Sequence, residues 1–125
     1  MMKKFLPVLF LPLLLAGCAT AFTNLTPLQQ ARNPKNLYPV EVALDCSQQT
    51  LRWESIRPQI LVGKNTYPMR STLLMTNRWE GMVPVPPGTE SVTYRYKFDY
   101  DCNSFGKPKP ASRISREYTL SVKGQ

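Results

Sequence analysis

The chain has no histidine in its 125 residues. That removes the usual general base, the commonest metal ligand and every Ser-His or Cys-His nucleophile pair. Acidic side chains are few, eight against sixteen Lys and Arg, which leaves a formal charge of +8. The basic residues from Arg32 to Lys123 stand singly, with no run of three, as on a solvated mixed surface. No nucleic-acid-binding motif and no phosphate-cradling glycine loop occurs, so neither kind of partner is expected. Three cysteines, Cys18, Cys46 and Cys102, do not make a zinc set, and no metal or cofactor is expected. Of the carboxylates, Glu54, Glu80, Asp99 and Asp101 are the candidates for acid–base work. Asp99 and Asp101 fall on one strand face about 7 Å apart. They alternate there with Arg95 and Lys97, as an exterior would, so an enzyme is not expected. A membrane-spanning run is also missing. The longest apolar stretch, Phe5 to Leu15, has eleven residues, whereas a span needs roughly 20.

That stretch has another meaning. Met1-Met2-Lys3-Lys4 is a short cationic start, and Pro7 and Pro12 argue against a buried helix. A basic start, a short apolar run and then small residues describe a secretory signal. Leu15-Ala16-Gly17-Cys18 resembles the lipobox of bacterial lipoproteins. The resemblance implies a signal peptide over residues 1–17, diacylglycerol on the Cys18 thiol, and fatty acyl groups such as palmitate on its new amino group. At about 0.8 kcal/mol per buried methylene, two or three chains anchor a protein almost permanently. It implies a place in the bacterial cell envelope. Ala19, rather than aspartate, after the cysteine points to the outer membrane, facing the periplasm.

Fold reasoning starts after the leader, where one domain fits and two do not. Residues 18–37 read as the lipidated start and a flexible tether. Thr26 would cap a short helical turn beginning at Pro27 and ending at Asn33-Pro34. As coil, Ala19 to Leu37 would span roughly 25 Å. Asn24-Leu25-Thr26 matches a glycosylation acceptor, which carries no weight in a bacterial lipoprotein.

From Tyr38 to the end at residue 125 the pattern has period two. Tyr38, Val40, Val42, Leu44 and Cys46 share one face. Gln49 to Val62 puts Leu51 and Trp53 in phase and Ile56, Ile60 and Val62 out of phase, so a bulge is expected between Ser55 and Pro58. Gly63-Lys64-Asn65 is a turn, followed by strands over Tyr67 to Met75 and Trp79 to Val85. After a turn at Pro86-Pro87-Gly88, Ser91 to Cys102 is the clearest strand, with Val92, Tyr94, Tyr96, Phe98, Tyr100 and Cys102 on one side. Asn103 to Ser112 reads as a loop and Arg116 to Val122 as a last strand. Six or seven short strands with frequent turns predict an antiparallel β-sandwich of immunoglobulin type.

Cys46 and Cys102 both end a strand on its apolar face. In an oxidising compartment they are expected to form a disulfide. It would close a loop of about 57 residues, for roughly 4 kcal/mol.

Asn77 to Phe98, NRWEGMVPVPPGTESVTYRYKF, resembles part of the early-set immunoglobulin-like domains, which include starch- and glycogen-binding modules. The matching positions are Trp79, Val83, Val85, Pro87-Gly88, Tyr94, Tyr96 and Phe98, about a fifth of the chain. The downstream Asp-Gly turn of those modules is absent, and their second sugar-stacking tryptophan has no evident counterpart. The resemblance therefore supports the fold more than sugar binding. Trp53 is assigned to the core, and so are Tyr38, Tyr94, Tyr96 and Tyr118. Trp79, beside Asn77-Arg78 and Glu80, has both a core and a rim reading, and Tyr67 and Tyr100 stay open. Two functions remain. The first is a non-catalytic envelope module engaging a protein partner through Phe105 to Pro110 and an edge at Arg116 to Val122. The alternative is a glycan- or peptidoglycan-binding lipoprotein using Trp79, Arg78, Tyr67 and Tyr100.

Overall fold

A computed structural model describes residues 20–46 and 50–124. The leader, the lipobox and Cys18 lie outside the described residues.

The ten described strands are β1 (Thr20–Asn24), β2 (Gln29–Ala31), β3 (Leu37–Cys46), β4 (Leu51–Val62), β5 (Asn65–Pro68), β6 (Arg70–Ser71), β7 (Arg78–Pro84), β8 (Ser91–Ser104), β9 (Lys107–Ile114) and β10 (Tyr118–Lys123). One sheet has the order β1-β3-β7-β6, and the other β2-β10-β8-β4-β5 with β9 alongside β8. All pairs are antiparallel except β2 with β10. The molecule is an all-β sandwich of immunoglobulin-like order.

Alternation builds the core. Tyr38, Val40, Val42 and Leu44 of β3 are at most 1% exposed, and they face Tyr94, Tyr96, Phe98 and Tyr100 of β8. Each fully buried Val, Leu or Phe contributes about 1.5–3 kcal/mol. Phe22, Phe98 and Trp79 continue this layer through edge-to-face contacts at 5.1 and 5.0 Å.

The expected tether is corrected. Residues 20–24 pair with β3 and residues 29–31 pair with β10, so the segment crosses from one sheet to the other. No helical turn forms at Thr26. A buried polar knot holds the crossing instead. The Tyr96 hydroxyl donates to Asn24 Oδ1 at 2.7 Å and lies 3.1 Å from Thr26 Oγ1. The Asn24 amide donates to the Tyr94 hydroxyl, and the Glu41 N–H donates to Thr26 Oγ1. Threonine and asparagine serve here because they satisfy backbone groups left over where a chain leaves a sheet. Burial pushes the Tyr96 phenol far above its ordinary range, although its hydrogen bond with Thr26 works against that shift.

Three further expectations change. Residues 103–112 are not a loop, because they form the tip of a hairpin and then β9. Arg116 to Val122 is not an edge, because β10 lies between β8 and β2. The disulfide expected between Cys46 and Cys102 is not found among the described residues. The two residues belong to facing sheets and are half-buried against the core.

Candidate functional site

The outer face of the four-stranded sheet carries a groove of about 570 Å³. Its floor is set by register. Pro39 lies opposite Met82 and Glu41 opposite Glu80, alternating with Val40, Val42 and Trp79 on the core side. One wall is Leu25 to Pro27, where β1 breaks away from β3; the other is Tyr67 to Arg70, where the chain passes between sheets. Most of the lining is apolar, and Met82 is half exposed.

Gly81 makes the second wall close in. A Cβ there would stand 2.8 Å from Ile60 Cδ1 and 2.9 Å from the Pro68 carbonyl oxygen, so no larger residue fits without movement. β6 covers β7 only at Trp79 and Glu80. Gly81 to Pro84 therefore have no strand partner on that side among the described residues. Charge rims the groove: Arg70 donates to Glu80 at 3.1 Å, and Arg78 lies 4.0 Å from Glu41. Pairs this exposed contribute about 0–1 kcal/mol and act more on specificity than on stability. No group of three or more acidic or cysteine side chains that could hold a metal occurs among the described residues.

The structure does not gather the predicted ligand residues into one site. Trp79 is 5% exposed and Tyr100 is 4%, both in the core. Arg78 lies on the outer face with Glu41, and Tyr67 lines the groove. Of the two readings of Trp79, the core one holds, and it is Trp53 that reaches the rim at 40% exposure. The cause is a bulge in β4. Arg52 pairs with Asp101 and Arg57 with Asp99, so three extra residues of β4 arch out between them. Ser55 staples the arch by accepting from the Asp101 N–H at 2.8 Å and donating to the Arg52 carbonyl at 2.6 Å. Trp53 is thereby laid parallel on Trp79, with centroids 6.4 Å apart and planes 3° from parallel. Its cleft is lined by Leu44, Asp45, Cys46, Thr76 and Asn77.

The groove itself was missed. The only sequence signals were Met82 and Pro39, outward-facing residues that are neither charged nor small.

No known protein family matches the chain, and no curated protein does. Among solved structures, a DUF4785 family protein from Legionella pneumophila is similar over 82% of this chain and 28% of its own, at 11% identity and a TM-score of 0.44. Murine CRIg is similar over 84% of this chain and 98% of its own, at 8% identity and a TM-score of 0.42. The chain thus spans little more than a quarter of the first of these. At such values the likeness carries no argument about fold or activity.

Proposed function

We propose that this protein is a lipid-anchored, non-catalytic binding module of the bacterial envelope. Its groove takes an extended apolar segment of a protein partner. The observation that carries the reading is the apolar groove lying beside the β7 edge, which from Gly81 to Pro84 has no strand partner among the described residues. A strand added at such an edge gains main-chain hydrogen bonds, and a neighbouring pocket selects its side chains. The anchor rests on the lipobox at Cys18, and the envelope and outer-membrane address rests on the same residues with Ala19. The lack of histidine in the sequence supports a non-catalytic role.

Glycan binding loses its expected platform, because the Trp79 ring is covered on one face by Trp53 and met edge-on by Phe98. The test of the protein-partner reading is a photo-crosslinking residue placed at Met82 in intact cells, with the same residue at Leu28 as control. One discrete adduct specific to Met82, weakened by Gly81→Ala, is the expected result. Identical adducts at both positions, or none at Met82, would overturn the groove as the binding site.

A further inference from the structure

The strand registers place several turns at one end of the sandwich. Thr20 pairs with Cys46 at the end of β3. β7 begins at that end, since Arg78 pairs with Ala43, and the turn before it runs from Thr72 to Asn77. β4 begins there as well, and its first residue, Leu51, pairs with Cys102. The β8–β9 hairpin continues past Cys102 to its tip at Phe105-Gly106.

This end carries most of the large apolar side chains that water reaches. Phe105 is fully exposed, Leu74 is 94% and Leu73 85% exposed, and Met75 and Trp53 are each close to 40%. Leu74 and Phe105 also adopt positive φ, 66° and 51°, a region that bulky side chains rarely enter. Local strain that lifts two apolar side chains fully into solvent has no stabilising return within the fold. Lys107 and Lys109 stand exposed beside Phe105, and neither forms an ion pair among the described residues. Asp45 is an exposed carboxylate at the same end.

The chain enters the sandwich here, and only Ala19 stands between Cys18 and Thr20, a reach of two residues. Fully extended, two residues reach at most about 7 Å. We infer that this end docks on the anionic lipid surface, with Leu73, Leu74 and Phe105 seated at the headgroup–acyl boundary and Lys107 and Lys109 facing lipid phosphates. The inference rests on the reading of Cys18 as acylated. Scattered apolar side chains are ordinary on protein surfaces. Here they gather at the end where the anchor would pull, with unpaired cations beside them, and interfacial seating combines those two features. The groove, at Pro39 to Glu41 and Glu80 to Met82, lies farther along β3 and β7 from this end.

The test uses the full chain, as isolated from membranes, reconstituted in vesicles of phosphatidylethanolamine and phosphatidylglycerol. In a Trp53→Phe background, Phe105→Trp puts a reporting indole at the hairpin tip, and Lys64→Trp puts one at the opposite end. The tip reporter is expected to shift to the blue and to be quenched by brominated acyl chains, with the Lys64→Trp reporter unaffected. Adding Leu73→Ser and Leu74→Ser is expected to abolish the tip quenching with the circular dichroism unchanged. Equal quenching at both ends, none at the tip, or quenching indifferent to the leucine substitutions would overturn the inference. So would protection of the tip that appears only with an added envelope protein. Mass analysis of Cys18 is read separately. An unmodified thiol sinks the anchor reading, and docking then stands only if the chain added to vesicles still shows tip quenching that depends on the leucines.

Discussion

Single residues explain how the two sheets are tied at the strand crossing. Tyr96 is fully buried, and its hydroxyl serves Asn24, with Thr26 Oγ1 in hydrogen-bonding reach. Tyr96→Phe removes these bonds, but Thr26 Oγ1 keeps the Glu41 N–H and Asn24 Oδ1 keeps the Thr26 N–H, so a loss of about 0.5–1.5 kcal/mol is expected in urea unfolding. Its folded pKa is raised, so the folded state holds the proton after the unfolded chain has released it. Stability from this group is therefore complete below pH 10 and declines above it, by up to about 1.4 kcal/mol per pH unit. Unfolding curves at rising alkaline pH should fall less steeply for Tyr96→Phe than for the wild type; parallel curves would exclude the linkage. Gly81→Ala tests close approach at one atom. Ile60 Cδ1 can rotate away, but the Pro68 carbonyl is backbone, so a loss of about 1–3 kcal/mol is expected. Tyr96 was legible as a core residue from its phase in β8. Its partners were not, because they lie about 70 positions away in a segment without alternation.

Among the strands, alternation located β3, β7, β8 and β10 to within a few residues, since each has one buried face. It failed where a strand has no such face. β9 carries Pro108 and Pro110, which read as loop; as an edge strand it has an outward N–H row that needs no partner, and proline is tolerated there. The tryptophans show the same limit at finer grain. Trp53 is in phase with Leu51, but the β4 bulge begins directly after Arg52 and turns the ring outward. Trp79 was in phase with Val83 and Val85 all along, and only its polar neighbours suggested a rim. The two rings are thus expected to differ in energy although they stack on each other. Trp79→Ala should cost about 3–5 kcal/mol by thermal or urea unfolding, the usual loss for a large aromatic in a core. Trp53→Ala should cost clearly less. Equal losses would mean that the stack, and not the burial, carries the stability.

At the scale of the whole molecule, one end is closed by polar bonds and the other is left apolar. Arg32, from the segment read as tether, clamps the far end. Its guanidinium donates to the carbonyls of Val85 at 2.8 Å and Thr89 at 2.5 Å, and to Asn36 Oδ1 at 3.1 Å. A lysine has no planar fork to reach them together, so Arg32→Lys is expected to lose about 1–3 kcal/mol. Retained stability in that variant would show the clamp to be dispensable. The near end makes the opposite trade. A two-residue hairpin with positive φ at both central positions favours Asn-Gly, yet the protein has Phe105-Gly106. Phe105→Asn should therefore raise the unfolding free energy, by about 0.5–1 kcal/mol, while removing the side chain that the lipid surface would receive. Higher stability together with weaker seating on vesicles is the expected pair of results. If the substitution instead lowers stability, Phe105 is packing within the fold, and the strain at the tip needs another cause.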